Sequence, residues 1–150
     1  MNPPILWYFA DPMCSWCWGF SSAIETVRID YRERMKIALV LGGLRPGETA
    51  PMTAARREEM LHHWQQVNER TGQAFRFEHA LPEGFVYDTE PASRAVVTIS
   101  GLDPALIFPL FKAIQTAFYA EGRDVTQPGV LVDLAATLGV DAAAFLHAFD

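Results

Sequence analysis

Two apolar runs with one helical pattern between them constrain this 150-residue sequence more than any other feature. Residues 4–10, PILWYFA, read as a buried strand, and Asp11-Pro12 ends it. A helix is expected from Cys14 or Ser15 to about Arg34. Its inner stripe is Cys17, Phe20, Ile24, Val27 and Tyr31, spaced three, four, three, four. Ser21, Ser22, Glu25, Arg28 and Arg32 fall on its other faces. Residues 35–41, MKIALVL, form a second strand, stopped by Gly42-Gly43. Strand, helix and strand so closely spaced make a βαβ unit, and its two strands should be parallel.

Nothing after residue 43 reads as a strand. LRPGETAPM is a loop, and Thr53 can cap a polar helix from Ala54 to about Arg70, closed by Gly72. An irregular stretch with Pro82 and Gly84 follows. Helices are then expected at 89–100, 103–121, 127–138 and 142–149, the last capped by Asp141. Pro109 should kink the second of these or delay its start. The chain therefore divides into a βαβ part, residues 1–43, and a helical part, residues 44–150. A two-stranded sheet is no core by itself. Either the helices cover it, or further strands belong to the fold and are absent from this chain.

Half of the residues are hydrophobic, enough for a sizeable core. Eighteen acidic residues against twelve basic ones give a formal charge of −6, and no basic stripe is present. That argues against nucleic acid as a partner. Arg56-Arg57 is followed at once by Glu58-Glu59, as on a solvated helix face. No apolar run reaches the ~18 residues that would span a membrane. The opening MNPPILWYFADP lacks the basic and small-residue features of a leader, so a cytoplasmic protein is expected. In a reducing compartment a single cysteine pair points to catalysis or metal binding rather than to a structural staple.

That pair lies in DPMCSWCWGF, residues 11–20. With Cys14 at the helix start, Cys17 follows one turn later on the same face, where two thiols can close a short disulfide. The unpaired N–H groups and positive end of the helix favour a thiolate at Cys14. Cys14 should be the more accessible nucleophile, and Cys17, on the apolar stripe, the more buried resolving thiol. Asp11 opposes the thiolate. A zinc site would need two further ligands, and His62, His63, His79 and His147 show no matching spacing. A pair of inert core cysteines fits poorly with a helix start. Trp16 should be partly exposed and could contact substrate. Trp18, Phe20 and Trp64 read as core, and Asp88 or Glu90 as helix-capping residues rather than general acids.

At these residues the sequence resembles the DsbA-type thioredoxin-fold oxidoreductases, and within them the cytoplasmic FrnE-like branch. The resemblance is carried by the strand, DPMCSWCWGF, the helix, the second strand and GGLRPG. YDTEPASRAV (87–96) and IQTAFYAEGRDVT (114–126) extend it into a helical domain inserted in the thioredoxin fold. The resemblance implies an α/β thioredoxin-like fold with a helical insertion, and thiol–disulfide exchange with protein or small thiols and disulfides, glutathione among them. It assigns Cys14 as the attacking and Cys17 as the resolving cysteine. Ser15 and Trp16 become the dipeptide that tunes the pair or contacts substrate. It implies no cofactor and no metal. The family's cis-proline loop and last strands have no counterpart in this sequence, which leaves a sheet edge open and a homodimer among the expected outcomes. Alternative readings are a kappa-type glutathione transferase or chromene-carboxylate isomerase, which typically carry serine at the first cysteine position, and a non-catalytic, chaperone-like peptide-binding module.

Overall fold

The computed structural model describes residues 2–150. Met1, the first residue of the expected 1–43 unit, lies outside them. Strands β1 (Ile5–Ala10) and β2 (Lys36–Leu41) pair in parallel, Ile5 opposite Lys36 and Ala10 opposite Leu41. The helical pattern between them folds as two helices, α1 (Ser15–Gly19) and α2 (Ser21–Asp30), not as the single helix to Arg34 that the periodicity suggests.

The break falls at a close approach. α1 lies against α3 (Ala54–Thr71). A Cβ at Gly19 would sit 2.6 Å from Val67 Cγ1 and 3.0 Å from Thr71 Cγ2. The chain passes there without a side chain and bends at Phe20. Hydrogen bonding continues through the bend: the Phe20 amide donates to Trp16 (2.9 Å) and the Ile24 amide to Phe20 (3.0 Å). Beyond Asp30, the amides of Arg34 and Met35 both return to the Tyr31 carbonyl, at 2.7 and 2.9 Å. The helix thus ends four residues earlier than expected, and that tight turn leads the chain into β2 at Lys36.

The remaining helices match the sequence pattern closely. Thr53 Oγ1 accepts from the Arg56 amide at the start of α3, and Gly72, with φ of 70°, closes it. After α4 (Glu90–Leu102), a 3-10 turn at Pro104–Leu106 leads into α5 (Ile107–Tyr119). Pro109 falls in the first turn of α5, so it delays the helix rather than kinking it. Helices α6 (Pro128–Thr137) and α7 (Ala142–Phe149) complete the chain, α7 with Asp141 as its N-cap.

The core lies among the helices. Ile99, Leu110, Ile114, Leu131 and Phe145 are fully buried. Trp64, Tyr87, Phe118 and Tyr119 form an aromatic cluster, with Trp64–Tyr119 ring centroids 4.9 Å apart and Phe118–Tyr119 4.8 Å apart. Trp18 and Trp64 are buried, as expected. β1 is not: Ile5, Trp7 and Phe9 are 48 %, 60 % and 68 % exposed. The helices gather on α1, through α3 and α5, and leave the strand row uncovered. Phe20, expected in the core, is 46 % exposed for the same reason: it stands at the bend, away from α3.

Candidate active site

Asp11 sets the geometry of the cysteine loop. It is buried, and its two carboxylate oxygens accept from two different segments, the Met13 amide and the Leu44 amide, both at 2.8 Å. One side chain thus ties the loop before α1 to the segment after β2. The Cys14 amide donates to the Asp11 carbonyl (3.1 Å), and the Cys14 carbonyl accepts from Trp18 (3.1 Å). Cys14 is therefore the N-cap residue of α1, with extended backbone. Its sulfur stands where the first helical N–H groups lack intrahelical partners.

The two thiols divide sharply. A hydrogen bond from the Cys17 thiol, aided by the amides of Cys17 and Trp16, pulls Cys14 down to about 6. Burial and the Asp11 charge oppose this and do not prevail. Sharing that hydrogen bond, and then burial, push Cys17 well up. Both cysteines are half-buried and free, so Cys17 is not sealed in the core as its place on the apolar stripe suggests. The Tyr8 hydroxyl, on β1, is buried beside Cys17 without closing a hydrogen bond of ordinary geometry. Burial first, then the neighbouring cysteines, push its pKa up, so it remains a phenol.

The helical part supports this loop from behind. The Tyr87 hydroxyl donates to the Met13 carbonyl, and Tyr119 Oη lies 3.4 Å from Tyr87 Oη. Trp18 Nε1 donates to the Ala74 carbonyl (2.8 Å), while Gln73 Nε2 donates to the Trp18 carbonyl (3.0 Å). Asp88 accepts from the amides of Gly47 (2.8 Å) and Glu90 (3.0 Å), a turn and cap role as expected.

Ser15 opens α1 and is half-buried. Trp16 is 48 % exposed, beside Gln66 and Arg70 of α3. Cys14 and Cys17 together face a shallow hollow of about 330 Å³ walled by Phe9, Ala10 and Leu44. On its other side Cys14 borders a groove of about 240 Å³ that reaches α3. His62 and His63 are exposed on α3, and His63 lines that groove; His79 and His147 are exposed elsewhere.

Sequence reasoning treated Asp11 only as a strand stop and an opposing charge. Its carboxylate clamp was signalled by the Asp-Pro step, since aspartate at such a step commonly binds a backbone amide two residues on. Tyr87 sits inside the segment 87–96 but carried no local signal for a bond to residue 13.

A strand, a Cys-x-x-Cys pair at the following helix start, and a helical layer define a thioredoxin-like centre, and residues 5–150 match the DSBA-like thioredoxin domain family, to which this chain belongs. It is similar to a candidate protein disulfide isomerase from Nitrosomonas europaea, at 46 % identity and a TM-score of 0.93, over 99 % of this chain and 71 % of that one. It also resembles the cytosolic disulfide reductase DsbM from Pseudomonas aeruginosa, at 30 % identity and a TM-score of 0.83, over 97 % of this chain and 69 % of that one. DsbM has been solved with glutathione as well. A curated relative, the ClpXP adapter protein SpxH from Halalkalibacterium halodurans, is 22 % identical over 150 residues. The chain spans about half the length of that relative, 48 %. No helix among the described residues is long and apolar enough to cross a membrane.

Proposed function

We propose that this chain carries the dithiol centre of a cytoplasmic thiol–disulfide oxidoreductase, with Cys14 as the attacking and Cys17 as the resolving cysteine. The observation that carries this reading is the opposed pair of thiols. Cys14, at the start of α1, is largely thiolate at neutral pH, while Cys17 holds its proton and keeps the neighbouring thiolate stable. Only a thiolate attacks a disulfide. Cys14 displaces one sulfur of the substrate and forms a mixed disulfide. Cys17 then gives up its proton, attacks Cys14 Sγ, and releases the second substrate thiol. Run backwards, the same steps oxidise a dithiol. Ser15 and Trp16 tune and flank the pair, Trp16 offering an exposed apolar edge to a substrate chain.

The family match and the likeness to a candidate isomerase and to DsbM support this activity, and the DsbM complex supports glutathione as a small partner. The cytosolic setting of DsbM likewise favours a cytoplasmic location. We assign residues 1–43 to the thioredoxin-like part and residues 44–150 to the helical insertion.

Equilibrating the protein in glutathione redox buffers and trapping free thiols tests the reading. A reversible two-electron Cys14–Cys17 couple is expected. Cys17→Ser should accumulate a stable mixed disulfide on Cys14, and Cys14→Ser should abolish exchange. Failure to form the Cys14–Cys17 disulfide would exclude the proposal.

A further inference from the structure

Resolution of a mixed disulfide makes a demand that the resting dithiol does not. In the reduced centre Cys17 keeps its proton and gives its hydrogen bond to the Cys14 thiolate. Once Cys14 is bonded to a substrate sulfur that acceptor is neutral, and Cys17 must become the anion. With the shared hydrogen bond gone, burial is what still opposes a thiolate at this half-buried position. The Asp11 side chain gives no help: both carboxylate oxygens are spent on the Met13 and Leu44 amides, and a carboxylate only accepts. Two donors face the Cys17 sulfur, the Asp11 amide and the Tyr8 hydroxyl.

The strand places Tyr8 for this. Ile5, Trp7 and Phe9 stand in solvent, while Tyr8 and Ala10, on the alternate positions of β1, turn inward. The Tyr8 ring packs against Phe20 at the bend and Phe111 of α5, with centroids 6.1 and 6.4 Å away. Its hydroxyl is buried and makes no hydrogen bond among the described residues. Buried hydroxyls are nearly always paired. The two tyrosines behind the cysteine loop are: Tyr87 donates to the Met13 carbonyl, and Tyr119 Oη lies 3.4 Å from Tyr87 Oη. The charges that bear on Tyr8 are those of Cys17 and Cys14, and it stays a phenol with a proton to donate.

We propose that Tyr8 is a catalytic residue of the resolving step, its hydroxyl donating a hydrogen bond to the Cys17 sulfur as that sulfur becomes negative. This rests on the thiol–disulfide reading above and adds a residue to its second half. The partner missing from the resting state is a charge that exists only during exchange. In that step the Cys17 proton passes to the substrate thiolate released by the first attack. The Cys17 sulfur attacks Cys14 Sγ, the Cys14–Cys17 bond forms, and the bond from Cys14 to the substrate breaks. The second substrate sulfur leaves with the electron pair, so the dithiol is oxidised by two electrons and the substrate disulfide reduced. In the opposite direction Cys17 is the leaving sulfur, and the same hydroxyl meets the charge it acquires. Tyr8 gives up no proton in either direction.

The test separates the two steps. Reduced protein is mixed in stopped flow with a substoichiometric amount of dithiobis(nitrobenzoate), whose two coloured thiolates leave one at each step. In Tyr8→Phe, which keeps the ring and its contacts, the first release should hold the wild-type rate. The second should slow roughly tenfold or more, the scale of one hydrogen bond to a charged group. Equal slowing of both releases would mark Tyr8 as packing alone, and no slowing would leave it no part in exchange; either result overturns the proposal. A second measurement needs no turnover. In the Cys14→Ser background, alkylation of Cys17 by iodoacetamide at fixed pH should slow by a similar factor when Tyr8→Phe is added, and an unchanged rate also overturns the proposal. A wild-type protein that releases one thiolate and closes no Cys14–Cys17 disulfide would instead remove the reading on which the proposal rests.

Discussion

At the residue scale, the most consequential number is the Cys14 pKa of about 6. Iodoacetamide labelling of Cys14 should rise through a midpoint near pH 6 and level off above about pH 7, with Cys17 labelled far more slowly. The same shift bears on stability. The folded value lies below the ordinary thiol value of 9.0. The reduced protein therefore gains stability from Cys14 in full above pH 9, and loses it as pH falls from about 9 to about 6. Denaturant unfolding of reduced wild type against Cys14→Ser across that range would measure it. A thiol near 6 is closer to the value of about 7 in thioredoxin than to about 3.5 in DsbA. The potential should accordingly fall between roughly −270 and −120 mV, nearer the reducing end, as glutathione equilibration will read out. Tyr8→Phe removes a buried hydroxyl without a regular partner. It should change stability by less than about 1 kcal/mol.

At the element scale, the helical layer was legible because its signals are local. Thr53, Gly72, Asp141 and Pro109 act within one turn of their own position, and the observed helices follow them. The α1–α2 bend was not legible. An unbroken three-four periodicity crosses it, and the residue for which Gly19 leaves room, Val67, lies more than forty positions away. The burial of β1 was misjudged for a related reason. An apolar run reports what a strand can bury, while its partners decide what it does bury. The cysteine pair was legible from its spacing together with the strand and helix start around it, whereas the Tyr87–Met13 bond joins segments that share no local pattern. The bend gives a direct prediction. Gly19→Ala must push a methyl group toward the fully buried Val67. It should cost about 1–3 kcal/mol in urea unfolding and loosen α1 against α3.

At the scale of the whole molecule, a helical core sits on one side of a sheet whose first strand shows Ile5, Trp7 and Phe9 to solvent. Such a row on a two-stranded sheet, with an unpaired edge, favours association. The 150-residue chain should elute as a dimer or larger species in size-exclusion chromatography. Trp7→Lys/Phe9→Lys should shift it toward monomer without disturbing the helical core; a wild-type chain that stays monomeric at high concentration would show that β1 tolerates exposure. The Asp11 clamp has a consequence for anyone who would borrow this centre. Because one carboxylate holds both residue 13 and residue 44, the ten-residue stretch DPMCSWCWGF is not a portable cassette. Grafted onto another strand–helix junction, it would leave half of a buried carboxylate without its amide, and the loop would lose its register. A transplant would have to carry at least β1 through Leu44, so lineages that exchange cysteine motifs by recombination would have to exchange no less than the whole βαβ unit together.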